Sequence, residues 1–127
     1  RPAAAQYLQA GLNKEGVLAS WHYRVATPSV IEYFNPIRWQ QVDPKDIVTM
    51  RGAESQFYDI PDFLAEHVKT ERQARILPWR GIGASYTSFA AEAFIDEIAT
   101  QAGIDPFAGI PGPMPPPSGS ETMHRNY

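Results

Sequence analysis

The chain has 127 residues, no cysteine and a formal net charge of −3, and this length suits a single domain with its own hydrophobic core. The lack of cysteine excludes disulfides, thiolate metal ligands and a cysteine nucleophile. The weakly acidic charge without a basic stripe disfavours a nucleic-acid partner. No apolar run approaches the length of a membrane span, so no span is expected.

Residues 3–26 are predicted to form a β-hairpin. Apolar and polar side chains alternate over residues 17–25, which is the period of a strand with one buried face. A similar alternation precedes it over residues 7–12. The four-residue connection between them ends in Gly16, which is typical of a turn closed by a left-handed residue.

Residues 27–78 show no long periodicity, because prolines interrupt them repeatedly. The stretches VIEYF (30–34) and DIVTM (46–50) are interpreted as short strands, and residues 60–74 as either a helical turn or a strand. The segment is nevertheless rich in apolar side chains that favour burial. We expect them to pack over a surface, either one of this chain or one that this chain does not supply. These residues are Ile31, Tyr33, Phe34, Ile37, Trp39, Ile47, Phe57, Tyr58, Phe63 and Leu64.

The clearest helix is predicted over residues 85–102. Ser85 or Thr87 is expected to cap its start, and Gly103 to end it in the left-handed conformation. Residues 105 and 106 are expected to begin another short helix. The apolar stripe at helical spacing consists of Ala91, Phe94, Ile95, Ile98 and Ala102.

Residues 109–127 are dominated by Pro, Gly and Ser and are predicted to be a tail or linker with polyproline II character. A Pro-rich ligand is the alternative, but PMPPP is a weak motif. Residues 1–108 are assigned to one α+β domain, a β-hairpin or small sheet packed against one long amphipathic helix. Because the sequence opens on Arg-Pro without Met, either processing removed the start or the chain was cut from something longer.

The turn before the helix, with the sequence WRGIGA over residues 79–84, is the candidate binding site. Exposed backbone N–H groups, a helix N-terminus and the Arg80 guanidinium would together suit an anionic or polar group. The glycines do not complete a dinucleotide fingerprint, and no P-loop lysine is present. A tight turn that lets the helix pack closely is the other interpretation, and composition favours it.

No catalytic or metal-binding set stands out elsewhere. His22, His67 and His124 lie far apart without ligand spacing, so no metal site is predicted. The carboxylates form no convincing acid–base pair. No catalytic residue is therefore assigned.

The stretch PWRGIGASYTSFAAEAFIDEIATQAGIDP (78–106) resembles the large subunit of the molybdenum hydroxylases, the xanthine dehydrogenase and aldehyde oxidase family, in its isoquinoline 1-oxidoreductase beta-subunit branch. There a Trp-Arg-x-x-Gly turn leads into a helix ending in Phe-Ile-Asp-Glu-x-Ala, followed by Gly-x-Asp-Pro. YDIPDF (58–63) and AGLNKEGVLASWHYRVATPS (10–29) also fit. The resemblance covers about residues 1–108 and implies a fragment of a molybdopterin-binding domain.

The resemblance also implies roles for the turn. Ile82 would wall the substrate pocket, where many relatives have a Phe that stacks on a flat substrate, and Ile82 cannot stack in that way. The cofactor would be molybdopterin with molybdenum, with the cytosine dinucleotide form as one option. The residues that would lie beside it are Trp79, Arg80, Gly81, Gly83 and Ala84.

The implied parent activity is molybdenum-dependent hydroxylation of an aldehyde or N-heteroaromatic carbon, in the bacterial periplasm or cytoplasm. The family's catalytic Glu lies in a Gly-rich motif near the end of a much longer subunit, and a Gly-rich cofactor segment normally precedes the region resembled here. Neither has a counterpart in this sequence. We therefore expect neither catalysis nor bound cofactor from this chain alone. The expected partners are the remainder of the catalytic subunit, an iron–sulfur subunit and, for the fragment itself, a second copy. The alternative is a non-catalytic scaffold or assembly domain of the same fold.

Overall fold

The computed structural model describes residues 3–41, 46–54, 58–71 and 75–105. The predicted tail, the helix expected from residue 106 onward, Phe57 and His124 lie outside them. A small sheet and one long helix make the fold α+β, as predicted. In chain order the elements are β1 (Ala5–Leu12), β2 (Leu18–Thr27), α1 (Val30–Phe34), α2 (Pro36–Gln41), β3 (Asp62–Lys69) and α3 (Ala84–Ala102).

The predicted hairpin is confirmed, since β1 and β2 pair antiparallel. Its turn is closed by Gly16 at a φ of 78° and by the Asn13 side chain, whose Oδ1 accepts the Val17 N–H at 2.8 Å. The pairing register shifts at the turn end of the hairpin, where Ala19 is the extra residue of β2. This bulge turns Leu18 into the core and leaves Val17 only half-buried.

The third strand of the sheet lies far along the chain from the hairpin. β3 lies parallel to β2 in the strand order β1-β2-β3, so the strand interpretation of residues 60–74 is correct. Parallel neighbours need a long crossover, and here it contains α1 and α2. The short strands interpreted at residues 30–34 and 46–50 are wrong, because the first is α1 and the second forms turns.

A buried carboxylate explains why α1 is helical. Asp46 is 1% exposed and accepts hydrogen bonds from the Ser29 hydroxyl, the Thr49 hydroxyl and the Thr49 N–H. The Ser29 hydroxyl oxygen in turn accepts the Glu32 N–H at 3.0 Å as the N-cap of α1. A buried charge requires such partners. Asp46 thus fixes the start of α1 to the loop formed by residues 46–54.

The core lies between one face of the sheet and α3. Trp21 packs edge-on against Phe94, with ring centroids 5.4 Å apart. The Tyr23 hydroxyl donates to the Thr87 carbonyl at 2.9 Å and also contacts the Gln6 carboxamide, which ties both hairpin strands to the helix. The buried core residues are Leu18, Trp21, Tyr23, Val25, Met50, Ala53, Ala91, Ile95, Ile98 and Ala99.

The predicted cap at the start of α3 is wrong. The Ser85 hydroxyl donates to the Ile82 carbonyl at 2.9 Å, and the Thr87 hydroxyl donates to the Arg51 carbonyl at 2.6 Å. Gly83 occupies the N-cap position, and no side chain caps the helix there. Both hydroxyls are used to bind carbonyl groups around the turn instead of helical N–H groups.

The end of α3 is as predicted. Gly103 is left-handed with a φ of 70°, its N–H bonds to Thr100, and the Ile104 N–H reaches the Ala99 carbonyl at 2.9 Å. This is a Schellman motif. Of the predicted stripe Ala102 is exposed, because the helix ends there, and Ala99 is buried in its place.

Most apolar side chains of the middle segment are not buried by this chain. Ile31 is 4% exposed, but Phe34 is 61% and Ile37 is 71% exposed, and α2 buries none of its residues. We call Tyr33, Phe34 and Ile37 the α1–α2 apolar surface. In the described ranges no helix is long and apolar enough to cross a membrane.

Candidate functional site

The candidate site is the turn over residues 79–84. The Ile82 N–H donates to the Trp79 carbonyl at 2.8 Å, which closes a β-turn. Gly81 has a φ of 86° within it, a conformation that glycine adopts without strain. Trp79 is 68% exposed, and Arg80 and Gly81 are exposed as well. Half of the turn therefore lies on the molecular surface.

Ile82 is the strained residue of the turn. Its φ of 40° is unfavourable for a β-branched side chain, and such conformations cost about 1–3 kcal/mol. Its N–H bond to Trp79 and its carbonyl bond from Ser85 hold it in place. The side chain is half-buried.

Gly83 is a glycine because of the chain's own loop. A Cβ at this position would lie 2.2 Å from the Thr49 carbonyl oxygen and 2.6 Å from that of Val48. Gly52, in the same loop, is similarly crowded by the Thr87 hydroxyl at 2.7 Å. At Gly83, the tight-turn interpretation is sufficient. Ala84 begins α3 and is half-buried.

Arg80 supplies the charge of the site. Its side chain is exposed, and within the described part of the chain it forms no ion pair. It lies just before the N-terminus of α3, where the helix dipole adds partial positive charge. The exposed side of the turn therefore presents a guanidinium, an indole ring and main chain at the molecular surface.

Among the residues that the structure describes, the histidines and their ionic partners do not converge on this turn. His22 and Arg24 bind Glu66 on the far face of the sheet, and His67 contacts the Thr27 carbonyl at 3.0 Å. Among the described residues, no group of three or more His, Asp or Glu could hold a metal ion.

Three phenols near α3 are held in the neutral form. Burial, with a contribution from Tyr86, raises the pKa of Tyr23. Burial also raises the pKa of Tyr86, whose hydroxyl donates to the Thr49 carbonyl at 3.3 Å. Burial and the bond to Glu92 raise the pKa of Tyr58 to about 12. These hydroxyls serve as structural donors and supply no base.

The loop of residues 46–54 is the part of the site region that sequence reasoning missed. It contacts α1 through Asp46, which accepts the Ile31 N–H at 3.4 Å, and the start of α3 through the Thr49 carbonyl, which lies against Gly83. The glycine in its middle, Gly52, has a φ of 87° and is the one local signal that could have indicated a tight loop.

No protein-family model matches this sequence, and no curated protein matches it. Among solved structures, the chain is similar to the aldehyde oxidoreductase from Desulfovibrio gigas, in a form activated with sodium dithionite and sodium sulfide, at a TM-score of 0.61 and 23% identity. The match covers 85% of this chain and 11% of that chain. The similarity establishes a shared fold with a short segment of a much longer polypeptide.

Proposed function

We propose that this chain is part of a molybdenum-dependent hydroxylase that oxidises an aldehyde or an N-heteroaromatic substrate. The observation that carries the proposal is the fold shared with a segment of an aldehyde oxidoreductase. In this fold the Trp-Arg-x-x-Gly turn, on which the sequence resemblance depends, has Trp79 and Arg80 exposed.

The exposed half of the turn would suit a molybdopterin. Arg80 offers a planar set of donors without an ion-pair partner among the described residues, and guanidinium groups suit phosphate and polar heteroatoms. Residues 79–81 would contact the cofactor directly. Gly83 and Ala84 would act by placing α3, since the free side of Gly83 is filled by the Thr49 carbonyl.

The bound cofactor would supply the redox chemistry at molybdenum, while protein groups bind and orient it. Ile82 would line the substrate pocket as an aliphatic wall. Its half-buried side chain would pack against a flat substrate without aromatic stacking. We expect the general base of the proposed reaction to come from polypeptide outside this chain.

The rest of the site would come from other polypeptide. The chain spans 11% of the length of the aldehyde oxidoreductase it resembles in fold, and its α1–α2 apolar surface is uncovered. We propose the remainder of a catalytic subunit and an iron–sulfur subunit as partners. We also place the parent in the isoquinoline 1-oxidoreductase branch, with molybdopterin in the cytosine dinucleotide form as the specific option.

The test is cofactor analysis of the assembled protein, isolated from its source through a tag on this chain. Molybdenum and released pterin should be present in equal amounts. Arg80→Ala should lower the pterin content about tenfold, because a charge-assisted hydrogen bond is lost. Arg75→Ala, which removes another exposed arginine, is the matched control and should retain the cofactor. Wild-type assembly without molybdenum and pterin would contradict the proposal and favour a scaffold domain.

A further inference from the structure

We infer that the free edge of β3 pairs antiparallel with β3 of a second copy, so that the two three-stranded sheets become one continuous sheet across a two-fold axis. This inference concerns the chain by itself and does not depend on the proposed cofactor. It rests on the backbone of the edge strand, on its exposed side chains and on the register that they favour.

β3 offers eight residues of strand backbone with one side unpaired. It bonds to β2 along its whole length, and no described residue pairs with its other side. Its sequence, DFLAEHVK, contains no proline or glycine, and its register with β2 has no bulge. Such an edge is a template for strand addition.

The outward face of β3 carries two exposed apolar side chains, one on each side of a carboxylate that is already paired within the sheet. Leu64 is 51% and Val68 is 44% exposed, and they flank Glu66 on the same face at the strand period of two. Glu66 is held by Arg24 at 2.9 Å and by His22. The carboxylate at the centre of the strand is therefore neutralised within its own sheet.

A two-fold axis through Glu66 makes this face self-complementary. Antiparallel pairing in that register places Leu64 of each copy opposite Val68 of the other, which gives two apolar cross-strand pairs. It also places the two Glu66 side chains opposite each other at the axis, where each carboxylate keeps its pairing with Arg24 and His22 of its own sheet. A shift of two residues in either direction would place Leu64 or Val68 opposite a Glu66 carboxylate instead. Of these three registers, only the one centred on Glu66 gives apolar pairs on this face, so the side-chain pattern favours it.

The other sheet edge is less suited to this role. β1 has a register irregularity at its end, and its outward face carries Tyr7 and Gln9, which bond to each other at 3.2 Å. The α1–α2 apolar surface has no row of strand hydrogen-bonding groups. Among the described strands, β3 therefore offers the edge with an uninterrupted register and exposed aliphatic side chains at Leu64 and Val68.

The test is the association state of the full chain by analytical ultracentrifugation, with two charge variants. In Leu64→Lys/Val68→Lys, like charges face each other at both symmetric positions, and the association constant should fall about 100-fold. In Leu64→Lys/Val68→Glu, each introduced lysine faces an introduced glutamate of the other copy, and the dimer should persist. Both variants change only exposed positions, and thermal unfolding followed by circular dichroism verifies that they fold.

Ile37→Lys is the matched control, since it adds the same charge at an exposed apolar residue of α2. It should leave the dimer intact. Backbone N–H groups of β3 should exchange more slowly with solvent as the protein concentration rises. The inference is overturned if the wild-type chain stays monomeric, if the two double variants associate equally, or if β3 binds only a strand of a different polypeptide. None of these readouts depends on molybdenum or pterin content.

Discussion

Two neighbouring residues in the turn before α3 are constrained in different ways, one by its backbone conformation and the other by the packing around it. Ile82 adopts a positive φ although it carries a β-branched side chain, whereas Gly83 has an ordinary helical φ of −61°. Glycine is required at position 83 only by the carbonyl groups of the facing loop. A glycine in a sequence therefore does not by itself distinguish backbone conformation, close packing and ligand approach.

Gly83→Ala isolates the packing requirement. The added methyl group would overlap the Thr49 carbonyl, so the free energy of unfolding should fall by about 3 kcal/mol, at the upper end of overpacking costs. Gly16→Ala is the matched control: no atom lies within 4 Å of its added carbon, and only its left-handed backbone costs about 1 kcal/mol. Urea unfolding measures both. Equal losses would show that the contact with the loop does not constrain Gly83.

At the scale of elements, the sequence correctly predicts the helices and strands whose formation depends on nearby residues. The hairpin follows from alternation and a turn glycine, and α3 from helical spacing and Gly103. The helical state of α1 depends on Asp46, which is 17 positions from the Ser29 that it binds. The parallel pairing of β3 depends on a crossover of more than thirty residues. Neither of these long-range contacts leaves a periodic signal in the sequence.

The candidate site likewise combines a local feature that the sequence predicts with a long-range contact that it does not. The exposure of Trp79 and Arg80 agrees with a turn that faces outward, and motif spacing located that turn. The packing of Gly83 against the Thr49 carbonyl could not be predicted, because residues 46–50 were interpreted as a strand and their true partner was unknown. The cofactor roles of residues 79–84 stay predictions.

The ion-pair cluster between β2 and β3 predicts how stability depends on pH. Hydrogen bonds from His22 and Arg24 lower the pKa of Glu66 below its ordinary value of 4.5. The ionised form is therefore favoured in the folded state, and its contribution is present above that value and is lost as pH falls through the lowered pKa. Glu66→Gln should reduce this acid-side decline in the free energy of unfolding, measured by urea titrations at a series of acidic pH values. Parallel curves for the two proteins would contradict the prediction.

At the scale of the whole molecule, the chain buries one coherent core and leaves a second set of apolar side chains uncovered. The core joins the sheet, α3 and the loop of residues 46–54. Phe34, Ile37 and Phe89 are among the large apolar side chains more than 60% exposed. A soluble monomer seldom exposes a large apolar patch without a partner. The chain therefore buries its own core but leaves apolar side chains on its surface that a partner would have to cover.

Two isoleucines in consecutive helices test this distinction. Ile31 in α1 is 4% exposed and Ile37 in α2 is 71% exposed. Ile31→Ala should lower the free energy of unfolding by about 2–4 kcal/mol, because it removes buried methyl groups and leaves a cavity. Ile37→Ala should change it by less than about 0.5 kcal/mol, since its side chain already lies in solvent. Urea unfolding of the isolated chain measures both losses under the same conditions. A loss at Ile37 as large as that at Ile31 would mean that the α1–α2 apolar surface is covered within the chain or by a second copy, and that no further polypeptide is needed to bury it.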